Sequence, residues 1–443
     1  MAVSLNGPYS AYLRTPAAAE DAALAHVGRG SACGEYLRRF WQPVALASDL
    51  QELPLRIKLL DEDLVLFRDL GGRVGLLELH CCHRRTSLEF GRICERGIRC
   101  AYHGWQYDVD GRILDTPGEP AQSRIKERLY QGAYPTKEYK GLIFAYLGPP
   151  DRIPDFPIYD LFEAKGTRLV PWKVHSPCNW LQVRENEMDP VHITFLHTRL
   201  FGAQFGEIFR PIPTLEFLET PVGMMYVTTR RWRGGKVYLR SNDMILPNIA
   251  RIAGIEDAEG DEEILFDRRG GGTNWVVPID NENCWTIGWN DEETLVGLPG
   301  LNAYMDRFKR QGERATGPFD VGQTGEPPYE ERQRKPGDWD VWVSQGRIMR
   351  HAEEHLAHTD RGVALYRALL RRGIRATAEG QDPKGILRGG GAPLRTYSHN
   401  SVLLLPEHPD PETDATQRRE AARALTERIL KGEVRPYVER ALV

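Results

Sequence analysis

Four residues within one short window constrain this chain more than any other feature: Cys81-x-His83 and, after sixteen intervening residues, Cys100-x-x-His103. Each pair offers a thiolate and an imidazole inside a single tight turn. Two such turns can grip a compact metal centre from opposite sides, so any fold of this segment has to bring them together. Two Cys and two His also make a common tetrahedral zinc site, but zinc pairs usually keep two or more residues between ligands. Cys81-x-His83 keeps one. The competing centre is a two-iron cluster in which two thiolates hold one iron and two imidazoles the other. His80 and Cys82 flank the ligands, and the register favours Cys81, because residues two apart converge in a turn whereas the adjacent Cys82 and His83 diverge. Cys82 and Cys94 are expected to pack as small apolar side chains.

The rest of the cysteine usage agrees with thiols used for metal chemistry. There are seven cysteines in 443 residues, an odd and sparse set for a disulfide framework, and four of them fall between Cys81 and Cys100. Lys and Arg number 58 against 62 Asp and Glu, a formal net charge of -4, which gives no general attraction for nucleic acid or anionic lipid. No basic segment leads into an apolar stretch at the N-terminus, and no apolar run reaches membrane-spanning length. The expectation is a soluble cytoplasmic protein, with no nucleic acid and no membrane among its partners.

A chain of this length calls for two units. From about Arg39 to Gly148, short strand-like runs (KLLDEDLVLFRDL, RVGLLEL, WQYDV, RIL) are joined at Gly71-Gly72 and Asp110-Gly111, the signature of tight hairpins in a small all-β domain. The stretch GPPDRIPDFPIYD reads as a linker. Beyond Lys165, strands (MMYVTTRRW, KVYLRSNDMIL, NWVVPI, CWTIGW) mix with helices such as EEHLAHTDRGVALYRALLRRG, without a regular βαβ rhythm. That is an α+β pattern around a largely antiparallel sheet. The expected boundaries are an N-terminal helical segment at 1–35, the β domain at 36–155, the α+β domain at 156–375 and a C-terminal extension at 376–443, whose helix takes Thr413 or Asp414 as its cap.

A second constellation lies in NWLQVRENEMDPVHITFLH, where Asp189, His192 and His197 are spaced D-x-x-H-x-x-x-x-H. Asp189 followed by Pro190 reads as an N-cap and first helical residue, which puts His192 one turn on and facing the same way. His197 is five residues further, about 140° around a regular helix, so a helix end or bulge must intervene if the two imidazoles are to share a metal. A lone histidine is most often structural, but two imidazoles and a carboxylate are the facial triad of non-haem Fe(II), which leaves coordination positions free for O₂.

The stretch from Cys81-x-His83-Arg84 to Cys100-x-x-His103-Gly104-Trp105 resembles the Rieske signature of aromatic-ring-hydroxylating oxygenases, and the second motif resembles, in order and distance, the iron-binding signature of the same family. Two departures stand beside the ligands: Arg85 where the family usually has glycine, and Cys82 where proline is frequent. The resemblance implies a [2Fe-2S] cluster on Cys81, His83, Cys100 and His103, and a mononuclear Fe(II) on His192 and His197. It implies that Asp189 links His103 of a neighbouring subunit to His192, with Asn186 close to the iron. The third ligand comes from RQRKPGDWDVWVSQGRIMRHAEEHL, where Asp338 fits the family position and Asp340, on the same face of an expected strand, competes with it.

The resemblance covers roughly residues 36 to 375 and is greatest to the α-only group that includes phthalate dioxygenase and 5,5'-dehydrodivanillate O-demethylase. It implies an α+β chain: an N-terminal all-β Rieske domain, then a catalytic domain with an antiparallel sheet of helix-grip type. It further implies a homotrimer or hexamer, a separate NAD(P)H-dependent reductase with flavin and 2Fe-2S acting directly or through a ferredoxin, O₂, and a small aromatic substrate, an aromatic acid or aryl ether. Hydroxylation, dihydroxylation and O-demethylation all use the same ligands. Met188, Met224, Ile245 and Asn248 are further pocket candidates. The competing functions are a Rieske electron carrier without oxygenase activity and a zinc-stabilised binding protein. His351, His355 and His358 repeat at helical spacing but sit among charges and read as a solvated face. Gly270-Gly271-Gly272 and Gly389-Gly390-Gly391 read as loops.

Overall fold

Turn residues set the first layer of structure. Strands Leu55–Leu59 and Glu62–Arg68 are joined by Leu60 and Asp61, both at positive φ (49° and 64°), the two-residue geometry whose twist suits a hairpin. Gly72 (φ 84°) turns the chain into Val74–Glu78, and Gly111 (φ 84°) joins Gln106–Tyr107 to Ile113–Asp115, so the Gly-Gly and Asp-Gly signals do mark hairpins. In the computed structural model, which describes residues 7–13, 20–163, 168–201, 206–232, 235–253, 264–266, 271–291, 323–391 and 393–433, these hairpins belong to two four-stranded antiparallel sheets. A third sheet of three strands comprises Gln42–Leu46, Thr136–Tyr139 and Leu142–Ala145. Alternate residues Val65, Phe67 and Leu77, with Leu88, Ile98, Trp105 and Tyr107, close a small core directly beneath the Cys/His loops.

The second part of the chain is built on a nine-stranded sheet, antiparallel at every pairing. Its order runs Leu169–Ser176, Cys284–Asp291, Gly271–Pro278, Ile249–Ala253, Lys236–Ile245, Gly223–Trp232, Thr214–Thr220, with His399–Leu404 also pairing to Lys236–Ile245. The four strand segments read from the sequence lie in this sheet. Gly271 and Gly272 do not form a loop but open a strand, paired to Ala253 and to Ile252 and Asn290, where a Cβ would collide with the Ile252 carbonyl and the Asn290 side chain; Gly270 lies outside the described residues.

The helix Arg361–Ala378 grips the sheet through Val363, Tyr366, Leu369 and Leu370, an apolar stripe at helical spacing. Tyr366 donates its hydroxyl to the Pro247 carbonyl at 2.6 Å, and Gly373 sits so close to Tyr36 that a Cβ would stand 2.5 Å from the ring. The helix is shorter than its sequence pattern suggests. His351–Glu353 and His358–Asp360 are separate 3₁₀ turns, so His351, His355 and His358 share no helical face, and His351 accepts the Asp21 N–H at 3.0 Å. The C-terminal helix Pro411–Lys431 is capped by Asp410, whose carboxylate accepts the Thr413 N–H at 2.8 Å with Pro411 as first residue. Asp414, one of the two expected caps, instead accepts from Arg231 at 3.1 Å and Arg418 at 3.0 Å. Among the described residues no helix is long and apolar enough to cross a membrane.

Candidate metal centres

The two Cys/His loops are the same turn used twice. Cys81 donates its N–H to the Thr86 carbonyl (2.9 Å) and accepts the Arg85 N–H (2.8 Å); Cys100 donates to Trp105 (2.8 Å) and accepts from Gly104 (3.1 Å). In each loop the residue four past the cysteine is left-handed, Arg85 at φ 63° and Gly104 at φ 73°. The family's usual glycine is therefore missing at a position where the backbone asks for one. Both thiols point inward, Cys81 at 2% and Cys100 at 3% exposure, and the Cys81 thiol lies 2.8 Å from the Tyr107 hydroxyl. The imidazoles sit at the half-exposed rim: His83 stacks on Trp105 with centroids 4.4 Å apart, and the His83 and His103 rings are 4.6 Å apart.

Two thiols below and two imidazoles above are a donor set that fits a two-iron cluster. Cys82 is partly buried against the core, and its N–H donates to Gln131 Oε1 at 2.7 Å. Gln131 then bonds the Glu78 and His80 carbonyls (2.8 and 3.1 Å), pinning the first loop. Cys94 is partly buried as well, outside that core, with its thiol 3.6 Å from the Arg92 carbonyl.

The second site is assembled on an irregular helix. Asn179 accepts the Leu181 N–H at 3.0 Å and opens the buried helix Trp180–Glu185, which passes into a 3₁₀ turn at Asn186–Met188. Asp189 takes the Val191 N–H on its carboxylate at 3.1 Å, which turns the chain through Pro190 into His192–Thr194. Phe195–Arg199 is a π-turn, marked by the Leu200 N–H bonding the Phe195 carbonyl at 3.0 Å. This is the bulge that the five-residue spacing demands, and it brings the His192 and His197 rings to 5.3 Å. The His192 Nδ1 bonds the backbone carbonyl of Asp189, so the carboxylate expected at this ring is not the group that orients it. Nε2 is left facing inward.

Asp338 completes the cluster. It begins a helix, Asp338–Val343, where a strand was expected. Two residues apart on a helix diverge by about 200°, whereas on a strand they share a face, so the two acids separate. Asp340 turns away, caps the Gly337 N–H at 3.1 Å and pairs with Arg332 at 2.6 Å. Asp338 turns in, with Oδ1 at 3.2 Å from Nε2 of His197 and 3.5 Å from Nε2 of His192. One ligand atom from each of the three lies within 4.8 Å of the others. Gln182 holds the two helices together, donating to the Trp342 and Gly346 carbonyls (2.7 and 2.9 Å) and accepting the Met349 N–H (3.0 Å).

Both oxygens of the Asp338 carboxylate accept a side-chain amide. Oδ1 accepts the Asn186 amide at 3.0 Å, and Oδ2 accepts the Gln323 amide at 2.7 Å. Burial would raise its pKa, but the His197 and His192 rings and the Gln323 amide hold it well below the usual carboxylate range. Sequence reasoning missed Gln323 because no motif contains it. Of the pocket candidates, Met188, Met224 and Ile245 are committed to the main core, and Asn248 faces Gln42 at 2.9 Å and the Val276 carbonyl at 2.8 Å.

Facing the segment that carries His192 and His197 is a polar stretch of sheet. In the pairing of Gly223–Trp232 with Lys236–Ile245, Tyr226, Thr228 and Arg230 share a face with Tyr238, Arg240 and Asn242. Asn242 donates to Glu187 at 2.6 Å, which places that face against the segment carrying His192. Arg230 is 1% exposed, bonds the Pro211 carbonyl (3.1 Å) and Thr228 (3.3 Å), lies over Phe209, and has no carboxylate partner among the described residues. Burial pushes its pKa down to about 10.

The Rieske [2Fe-2S] domain family matches residues 40–135. The tert-butanol monooxygenase / tert-amyl alcohol desaturase oxygenase subunit of Aquincola tertiaricarbonis is 39% identical over 434 residues, 93% of this chain and 89% of its own length. The phenoxybenzoate dioxygenase subunit alpha of Ectopseudomonas oleovorans is 37% identical over 392 residues, 85% of this chain and 90% of its own. In fold, the chain is similar to the NdmA QL mutant of Pseudomonas putida CBB5 solved with caffeine, with a TM-score of 0.59 at 20% identity, covering 82% of this chain and 99% of that one.

Proposed function

The chain belongs to the oxygenase subunits of multicomponent Rieske oxygenases, and from that premise we propose which residues carry its two metals and what it oxidises. Cys81, His83, Cys100 and His103 hold the [2Fe-2S] cluster, and His192, His197 and Asp338 hold the mononuclear iron. The observation that carries the second assignment is the convergence of those three side chains to within 4.8 Å. When bound, the cluster supplies electron transfer and the Fe(II) supplies O₂ activation.

The chain's own residues do the rest. The Asp189 carbonyl fixes the His192 tautomer, presenting Nε2. Asn186 and Gln323 hold the Asp338 carboxylate in place. One Asp189 carboxylate oxygen is used by Val191, and the other is offered to an imidazole N–H from His103 of the partner subunit, in a homotrimer or a stacked pair of trimers. Electrons reach the cluster from a separate NAD(P)H-dependent reductase.

The substrate is an aromatic acid or an aryl ether bearing an acid. Arg230 supports this: a buried guanidinium with no carboxylate partner among the described residues is costly, and an anionic ligand on the same face would offset that cost. A second reading, a tertiary alcohol, is favoured by the 39% identity to the tert-butanol enzyme. Product-coupled O₂ uptake with a surrogate reductase separates them. The acid reading expects turnover of phenoxybenzoate-like acids, with KM raised about 10-fold or more by Arg230→Gln, as for loss of a charged hydrogen bond. Turnover of tert-butyl alcohol alone, unaffected by that change, contradicts it.

A further inference from the structure

Gln323 occupies the one oxygen of the Asp338 carboxylate that the histidines leave free. Oδ1 faces His197 and His192 at 3.2 and 3.5 Å, while Oδ2 receives the Gln323 amide at 2.7 Å. A carboxylate can bind a metal through one oxygen or chelate through both. We infer that Gln323 is a positioning residue that keeps Asp338 a one-oxygen donor, so that a coordination position stays open for O₂.

The segment carrying Gln323 is held for this purpose. Gly325 lies on the indole of Trp339, next in sequence to Asp338, so closely that a Cβ would stand 2.5 Å from the ring. The Trp339 indole N–H is itself anchored on the His175 carbonyl at 3.0 Å, and Arg332 lies over the same ring. Thr324, between them, is buried. Gln323 and Asp338 are thus fixed to the same aromatic plate. Asn186, donating to Oδ1 at 3.0 Å, steadies the other oxygen without facing Oδ2. The Gln323 amide N–H on Oδ2 draws charge from that oxygen and holds the carboxylate against rotation, with Oδ1 toward the histidines and Oδ2 away from them.

The inference rests on Asp338 as an iron ligand, and the test separates the two. Full-length protein with its cluster oxidised is loaded with Fe(II), and the EPR signal of its nitric-oxide complex is compared for wild type, Gln323→Leu and Gln323→Glu, alongside the rate of iron release to a chelator. Both variants should shift the nitrosyl signal away from wild type, with iron release changed about 10-fold or more, the scale of outer-shell effects on metal sites. Gln323→Glu keeps the side-chain volume, so it reports even if Gln323→Leu folds poorly. An unchanged nitrosyl signal in a folded variant overturns the inference, whatever the melting temperature does. Asp338→Ala is the control: if it retains the mononuclear iron, the ligand assignment itself fails.

Discussion

Oδ1 of Asp338 lies 3.2 Å from Nε2 of His197, although 141 residues separate them in sequence. The contact joins an irregular helix interrupted by a π-turn to the first residue of a helix on a distant segment, with Gln182 tying the two together. Replacing Asp338 with Ala should lower the iron content from about three to about two per chain while leaving the cluster spectrum intact. Asp340→Ala should keep all its iron and lose a capping bond to Gly337 together with the Arg332 ion pair, about 1–2 kcal/mol of stability. Iron analysis with denaturant titration checks both.

Arg85 holds a left-handed backbone (φ 63°) where its counterpart in the second loop is Gly104. Arg85→Gly should therefore stabilise the cluster domain by about 0.5–1 kcal/mol, the cost of that conformation for a residue with a Cβ less the added freedom of glycine. The expected reading is a rise of about 1–2 °C in melting temperature with an unchanged cluster EPR signal.

Arg367 pairs with the buried Glu185 at 2.6 and 2.7 Å and with Glu354. Burial raises the Glu185 pKa to about 7 even against this partner. Arg367→Met should cost about 3–5 kcal/mol by stranding that carboxylate under the iron helix, and adding Glu185→Leu should restore part of it. Urea unfolding and iron retention of the single and double variants report this.

His399 is fully buried, with Nδ1 at 2.8 Å from the Tyr397 carbonyl and the Ser241 hydroxyl. Burial lowers its pKa to about 4 despite the carbonyl bond. The folded state therefore takes up its proton later than the unfolded chain on acidification. Stability is full above about pH 6.5 and falls toward pH 4, by about 3 kcal/mol at pH 4 from this group. His399→Gln should flatten that part of the pH–stability curve, measured on iron-free protein.

What the sequence disclosed follows from which interactions are local. The Cys/His spacing, the Gly-Gly and Asp-Gly hairpins and the need for a bulge between His192 and His197 all arise within a few residues of chain, and the structure contains each of them. The Asp338 segment was expected as a strand, on which Asp338 and Asp340 would share a face, and it is a helix, on which they do not. The helix start was present in the same residues, since Gly337 precedes a helix whose third residue, Asp340, bonds back to it. Gln323 and Arg230 matter only through what the fold sets against them, and no spacing could show that. Asp410 was missed although Pro411 marked it as the cap.

In the proposed assembly each chain carries an electron-transfer cluster and an oxygen-activating iron, and Asp189 couples its own chain's iron to the cluster of the neighbouring subunit. Single turnover tests this coupling most directly. Protein reduced at the cluster, freed of reductant and mixed with O₂ and a turned-over substrate should form product as the cluster signal is oxidised. Asp189→Asn, with cluster and mononuclear iron both retained, should form little product and keep its cluster reduced. Reoxidation and product formation at the wild-type rate in that variant would rule out a coupling role for Asp189.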